Sequence, residues 1–370
     1  MKRQKGLSLV ELMVAMVLGL VVIGAVIELF ISSRQLYRVQ DVKARMQEDG
    51  RYALHYIGEF LSRGGYRGCE SVSQQQSDDY DNAIALNDGT EQGRKGFLNV
   101  LTSESDYFWQ LQSPVIGHEA TGNNSWTPAK PGDITDAVSD SDILTIRTVG
   151  SFYLHVQSHD ADNFSAPLQI GPDNGLSECD PATEDTCANI MMVSTCDAVA
   201  VFQVTNEDAS ETGVLEHATG IGTPGNSRAD LGGNFEGGWV NTIASQSFYV
   251  RNNPEGIPSL YQKTLDNDPE ALLEGVEQLQ VTYGVDSDGD LSAEEYRTAD
   301  QITGNISWTD VISVRISMVM ININPDNDDT DTNLALGDGQ YFLEGVQVTP
   351  DDGRLRRVYT QTFMLKNRAS

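Results

Sequence analysis

Asp286, Asp288 and Asp290 alternate along the segment DSDGDLSAEEY, residues 286–296, and Glu294 follows them. Carboxylates at alternate positions of a tight loop can converge on one hard cation, and Glu294 stands at the ninth position, which often serves calcium through water. The pattern departs from a complete calcium loop twice: Leu291 takes the sixth position in place of glycine, and Arg297 takes the twelfth in place of a bidentate glutamate. The same residues also suit a solvated turn leading into a short helix, with Ser292 and Glu295 as its capping box. A structural calcium ion and a plain turn are therefore the two expectations for this segment. A second acidic run, NPDNDDTDTN at residues 324–333, is expected to be a solvent-facing loop between strands.

His155 and His159 lie four residues apart before Asp160, but strand geometry does not bring such a pair onto one metal as a helix would, so both are expected at the surface. The chain has no G-x-S-x-G elbow, H-E-x-x-H helix, phosphate-binding loop or dinucleotide fingerprint, and no enzymatic activity is expected. Its 54 Asp and Glu outnumber 24 Lys and Arg, for a formal charge of −30. A nucleic-acid partner is excluded on that balance, because binding a polyanion requires clustered cations.

Chemistry of this kind needs a scaffold, and the N-terminus announces its first element. Lys2, Arg3 and Lys5 precede LSLVELMVAMVLGLVVIGAVIELFI, residues 7–31, in which Glu11 and Glu28 are the only charges. At 1.5 Å per residue such a helix is roughly 36 Å long, enough to cross a bilayer. The preceding cations favour a cytoplasmic N-terminus and send the acidic bulk outward. The apolar stretch is too long for an ordinary signal peptide and no small-residue cleavage site follows it. Glu11 is costly in an apolar helix, by about 2.5–3.5 kcal/mol near mid-bilayer, and so calls for a partner. Cys69, Cys179, Cys187 and Cys196 then fall on the outer, oxidising side, which permits two disulfides. Cys179–Cys187 with Cys69–Cys196 is the preferred pairing, Cys187–Cys196 is equally allowed, and a zinc site is the lesser alternative because no C-x-x-C is present.

The segment KGLSLVELMVAMVLGLVVIGAVIELF resembles the class III signal and N-terminal helix of type IV pilins and type II secretion pseudopilins. The resemblance implies that prepilin peptidase cuts between Gly6 and Leu7 and methylates the new amino group. Glu11 becomes the fifth mature residue, its carboxylate compensated by the N-terminal ammonium of a neighbouring subunit. Leu7 stands where phenylalanine is usual, and Glu28 where many major pilins carry a helix-breaking proline.

Apolar residues continue at helical spacing through Leu36, Val39, Val42, Met46, Ala53, Ile57, Phe60 and Leu61, and Gly64 and Gly65 end the pattern. Strands are expected at 143–149, 152–156, 198–205, 247–250, 259–263, 278–283, 311–323 and 357–365, with FYVRNNPEGIPSLYQK as a hairpin and few elements between residues 70 and 142. The fold class expected is α+β, a long N-terminal helix packed on a predominantly antiparallel sheet. Its parts are a leader at 1–6, a membrane or filament-core helix at 7–31, its amphipathic continuation at 32–65, and an extracytoplasmic β-rich domain at 66–370.

The blocks EDGRYALHYIGEFLSRGGYRGC, SDILTIR, IPSLYQ, LLEGVEQLQVTYGVDSDGD, VISVRISMVM and LRRVYTQTFMLKN, in that order, resemble PilW-type minor pilins. That resemblance implies a role in type IV pilus assembly or initiation, with major and minor pilins as partners through the helix. It also implies residence in the bacterial inner membrane with a periplasmic domain, and then in the pilus at the cell surface. A type II secretion minor pseudopilin is the runner-up, and a membrane-tethered extracellular adhesin or enzyme is the alternative of a different class.

Overall fold

One helix, α1 (Leu9–Arg63), runs unbroken for 55 residues in the computed structural model, which describes residues 9–66, 68, 96–102, 113–176, 189–264, 267–323, 340–350, 352 and 354–367. Gly50 leaves the helix intact, because one glycine costs only about 1 kcal/mol against the bonds on either side. Termination comes at Gly65, whose φ of 73° is left-handed, and Arg63 sits in the last turn where the helix dipole favours a cation. Contacts divide the chain into two compact units, residues 1–51 with 320–358, and residues 52–319 with 359–370.

In the first unit, residues 9–34 of α1 are exposed almost throughout, and burial begins at Val39 and Met46. The same unit holds a small hairpin of β15 (Tyr341–Leu343) and β16 (Val346–Val348). Nearby, Arg356 donates from both terminal nitrogens to the Asp352 carboxylate at 2.6 Å each. That fork holds the Asp352 carboxyl well below its usual range, at about 2.

The second unit is built on a nine-stranded sheet. Its order is β1 (Gly96–Asn99), β7 (Ala198–Gln203), β6 (Ile190–Ser194), β9 (Trp239–Asn252), β4 (Ile143–His155), β2 (Val115–Gly122) and β3 (Ser125–Thr127). The β9 strand also pairs with β10 (Pro258–Thr264), which pairs with β11 (Glu270–Glu274). All of these pairings are antiparallel except β1 with β7, which is parallel, and a separate antiparallel pair joins β5 (Leu168–Gln169) to β8 (Val214–Leu215). The segment at 246–264 is the anticipated hairpin, its turn closed by Asn253 and Ile257 with Gly256 at φ 82°. The two strands expected at 143–149 and 152–156 are one, β4, which carries a register shift between Val149 and Tyr153. Neither β2 nor β6 was anticipated: β6 is buried along its whole length, so no polar alternation marks it, and β2 is buried over Val115–His118 and partly exposed beyond, so no regular alternation runs through it either.

Helical residues 52–63 bury Ala53, Leu54, Ile57 and Leu61, and each large one contributes about 1.5–3 kcal/mol. The Tyr56 hydroxyl donates to Gln262 Oε1 at 2.8 Å, and the Tyr56 and Phe60 rings meet Phe248 of β9 at 6.2 and 5.8 Å. Gly58 lies under the Phe363 ring, where any Cβ would collide with it. Thr148 Oγ1 donates to the Arg63 carbonyl at 2.8 Å, which supplies one partner for the open end of the helix.

A four-stranded sheet follows in the order β13 (Glu295–Arg297), β12 (Val276–Val285), β14 (Val311–Ile321) and β17 (Arg356–Met364). Asp142, only 2% exposed, joins it to the larger sheet by accepting from the backbone N–H of Ala120 in β2 and of Val281 in β12, each at 2.9 Å. Gly117 of β2 has no room for a side chain because the Tyr283 hydroxyl of β12 occupies that space. These contacts set the end of β12, from which the acidic loop departs.

Candidate functional site: the exposed helix and the acidic loop

Two places collect the residues that the sequence singled out. On α1, every large apolar residue named between Leu9 and Ile31 is at least half exposed, from 51% at Ile31 to 75% at Leu9. The helix is long and apolar enough to cross a membrane, and none of its most apolar stretch is buried. Glu11 sits in its first turn, where the helix dipole favours an anion. Arg34 places its guanidinium 5.2 Å from the Phe30 ring centroid, at the end of the apolar run. Gly6 and Leu7 lie outside the described residues.

The acidic loop connects β12 to β13. Its base is closed by Glu294 N–H to Val285 O at 3.1 Å and by Asp286 N–H to Asp310 O at 3.0 Å. Inside it, Asp286 accepts from Gly289 N–H at 2.7 Å and from Leu291 N–H at 2.9 Å. Asp290 N–H reaches Asp288 Oδ1 at 3.2 Å and Ser292 N–H reaches Asp290 Oδ1 at 2.8 Å. Glu294 Oε2 accepts from the N–H of Ser287 at 2.7 Å and from its hydroxyl at 3.1 Å. Leu291 has a φ of 65°, so it adopts the left-handed turn for which glycine is the usual residue.

One oxygen from each of Asp286, Asp288, Asp290 and Glu294 lies within 4.8 Å of the others. Oxygens on a calcium shell of about 2.4 Å radius lie no farther apart than about 4.8 Å, so the spacing suits that ion. Arg297 takes no part, because its guanidinium pairs with Glu295. The anticipated capping box is absent: Glu295 opens strand β13, and capping boxes occur instead at Thr298 with Gln301 and at Ser307 with Asp310.

His155 is exposed and stacks edge-on against Trp239, with ring centroids 5.1 Å apart. His159, expected at the surface, is instead 5% exposed, because it lies in a loop folded back onto Phe235 and not in a strand. Cys196 stands in the turn between β6 and β7, whereas Cys69, Cys179, Cys187 and the acidic run at 324–333 lie outside the described residues. Sequence reasoning missed His118 and His217 altogether. His118 is 2% exposed against the Pro128 carbonyl, and burial pushes its imidazole down to about 4.

Residues 1–27 match the prokaryotic N-terminal methylation motif, and residues 247–367 match the family described as Type IV Pilus-assembly protein W. No curated protein matches the chain. Among solved structures, a type IV-like pilin from Thermus thermophilus is similar at 12% identity over 34% of this chain and 67% of that one, with a TM-score of 0.18, which carries no weight. The methylation motif covers the exposed end of α1 and the second match covers the hairpin, the acidic loop and the four-stranded sheet. With those two matches, residues 1–27 carry the N-terminal methylation motif and residues 247–367 are similar to the Type IV Pilus-assembly protein W family.

Proposed function

We propose that this chain is a minor pilin that takes part in assembling or initiating a type IV pilus, inserted through α1 with its β-rich domain presented outside the inner membrane. The observation that carries this reading is the pairing of a methylation motif on an unburied apolar helix with a pilus-assembly domain at the other end. Its partners are other pilins, through the helix, and prepilin peptidase, through Gly6 and Leu7. The domain performs no reaction, and its work is to position neighbouring subunits. Mass spectrometry of filament-associated protein should find N-methylated Leu7 as the first residue. An intact Met1, or piliation that is normal in cells lacking the protein, would overturn the assignment.

A structural calcium ion held by Asp286, Asp288, Asp290 and Glu294 belongs to the same proposal, supported by one oxygen of each lying within 4.8 Å of the others. The ion would brace the β12–β13 connection and do no chemistry. Two disulfides, Cys69–Cys196 and Cys179–Cys187, complete it. The first is supported by Gly68, one residue before Cys69, where a Cβ would lie 2.9 Å from the Cβ of Ser194 and 3.5 Å from the carbonyl oxygen of Thr195, two residues and one residue before Cys196.

A further inference from the structure

Two histidines from separate segments meet at one backbone atom. His159 Nε2 lies 3.1 Å and His217 Nε2 3.0 Å from the carbonyl oxygen of Ala166. A carbonyl oxygen has two lone pairs and can accept both ring N–H groups. On its other side, His159 Nδ1 accepts the Phe235 backbone N–H at 3.1 Å, which requires a neutral ring with its proton on Nε2. Both rings are buried, at 5% and 3% exposure.

The loop so held departs from and returns to a closed neck, where Gln157 N–H meets Gln169 O at 2.7 Å and Gln169 N–H meets Ser158 O at 3.1 Å. Between these ends, Leu231 N–H donates to Phe164 O at 3.1 Å. The histidine pair and this one bond therefore tie the loop to the segments carrying His217, Leu231 and Phe235. Phe235 and Leu231 are themselves core residues, packed with Val156, Leu168, Phe202 and Leu215.

We infer that His159, His217 and the Ala166 carbonyl form an acid-sensitive latch, closed while both imidazoles are neutral and opened by their protonation, which uncovers Phe235 and Leu231. A proton on His159 Nδ1 would face the Phe235 N–H, donor against donor, and that bond is lost. A second proton, on His217, would place two cations on one oxygen in a buried site. The charged groups around the pair are Asp160 beside His159, Glu216 beside His217, and the Arg228–Asp230 ion pair in the segment leading to Phe235. None of these makes a hydrogen bond to either ring among the bonds of the described residues.

Burial pushes both imidazoles below their ordinary value; the Ala166 carbonyl opposes this only in part at each ring, joined at His217 by the Ala229 and His217 backbone and by Glu216. A ring released into water returns to about 6.5. The open form therefore binds protons first, so the latch is intact above about pH 6.5 and weakens as pH falls below it. At pH 5 each ring can favour opening by up to about 30-fold, the ratio set by 1.5 pH units.

Hydrogen exchange of the full chain in detergent micelles tests this, corrected for the intrinsic effect of pH. Exchange at the Leu231 and Phe235 amides, taken relative to interior amides of β4 and β9, should rise at least tenfold between pH 7.5 and pH 5. The sheet amides serve as reference because the third buried histidine, His118, lowers stability in acid for the whole unit. The double substitution His159→Gln and His217→Gln should remove the rise. A ratio that ignores pH, or a rise that persists in the double variant, overturns the latch. If that variant is already open at pH 7.5, the imidazole resonances of the wild-type chain decide. Titration of both rings in step with the exchange at Phe235 supports the latch, and titration without any change there overturns it.

Discussion

Residues 9–31 and residues 53–63 belong to one helix with the same backbone bonds, yet they bury opposite amounts of their side chains. Between 53 and 63, Ala53, Leu54, Ile57 and Leu61 are at most 4% exposed, on the i, i+1, i+4, i+8 stripe of an amphipathic helix. Between 9 and 31 the apolar residues surround the helix on all sides and none of the large ones is buried. A stripe can be satisfied by one sheet, whereas a helix apolar all round needs an apolar medium such as lipid or other apolar helices. The lesson is that one continuous helix serves two solvents, with its internal bonds common to both and its partners not.

Substitutions on the two stretches should therefore separate assembly from folding. The largest effect is expected from Glu11→Ala, which would leave a neighbour's buried ammonium without its counter-charge, a loss of about 3–5 kcal/mol for a broken buried pair. Incorporation into filaments should fall more than a hundredfold while membrane insertion and the melting of the β-rich domain stay unchanged. Quantifying the protein in sheared pili against membranes checks this, and equal incorporation by Glu11→Ala would break the comparison. On the other stretch, Ile57→Ala should lower domain stability by about 2–5 kcal/mol by opening a cavity in a fully buried position. Denaturant unfolding of a fragment and the full chain reads this, and insertion should not change.

The acidic loop sharpens the contrast from the domain's side, since its ion would act on folding alone. At a hundredfold excess over Kd, calcium should add about 2.7 kcal/mol to domain stability. Asp288→Ala should abolish most of that gain, and magnesium, which demands a small octahedral shell, should replace calcium poorly. A thermal unfolding curve that ignores millimolar calcium would leave the loop a solvated turn. The smallest effect is expected from Leu20→Ala, 69% exposed in the apolar stretch, which should change domain stability by less than about 0.5 kcal/mol.

Much of this was open to inspection in the chain itself, for identifiable reasons. Periodicity near 3.6 residues marked α1 through to its glycine stop, because helical bonds are local and the pattern repeats over many turns. The turn residues NNPEG marked the β9–β10 hairpin for the same reason of locality. Strand β6 escaped notice because it is buried throughout, and the short segment IMMVS gives no sign of whether it is strand or helix, while β2 passes from four buried residues to a partly exposed end without regular alternation. At the acidic loop, the alternating aspartates showed which residues meet, while the choice between Ser292 as a cap and Glu295 as the start of β13 fell to pairing with β12.

The sequence by itself determined the features that depend on neighbours along the chain: the apolar helix with Glu11, its stop at Gly65, the hairpin turn and the carboxylate spacing of the loop. Tertiary structure alone decided which of these face solvent and which distant groups meet. His159, by its local sequence a surface residue, became a buried acceptor for Phe235 N–H and shares Ala166 O with His217. Asp142 likewise became the bridge between two sheets only when β2 and β12 came together. Contacts of that range are paid for in chain entropy and rewarded by burial, and neither quantity is written in a local window of residues.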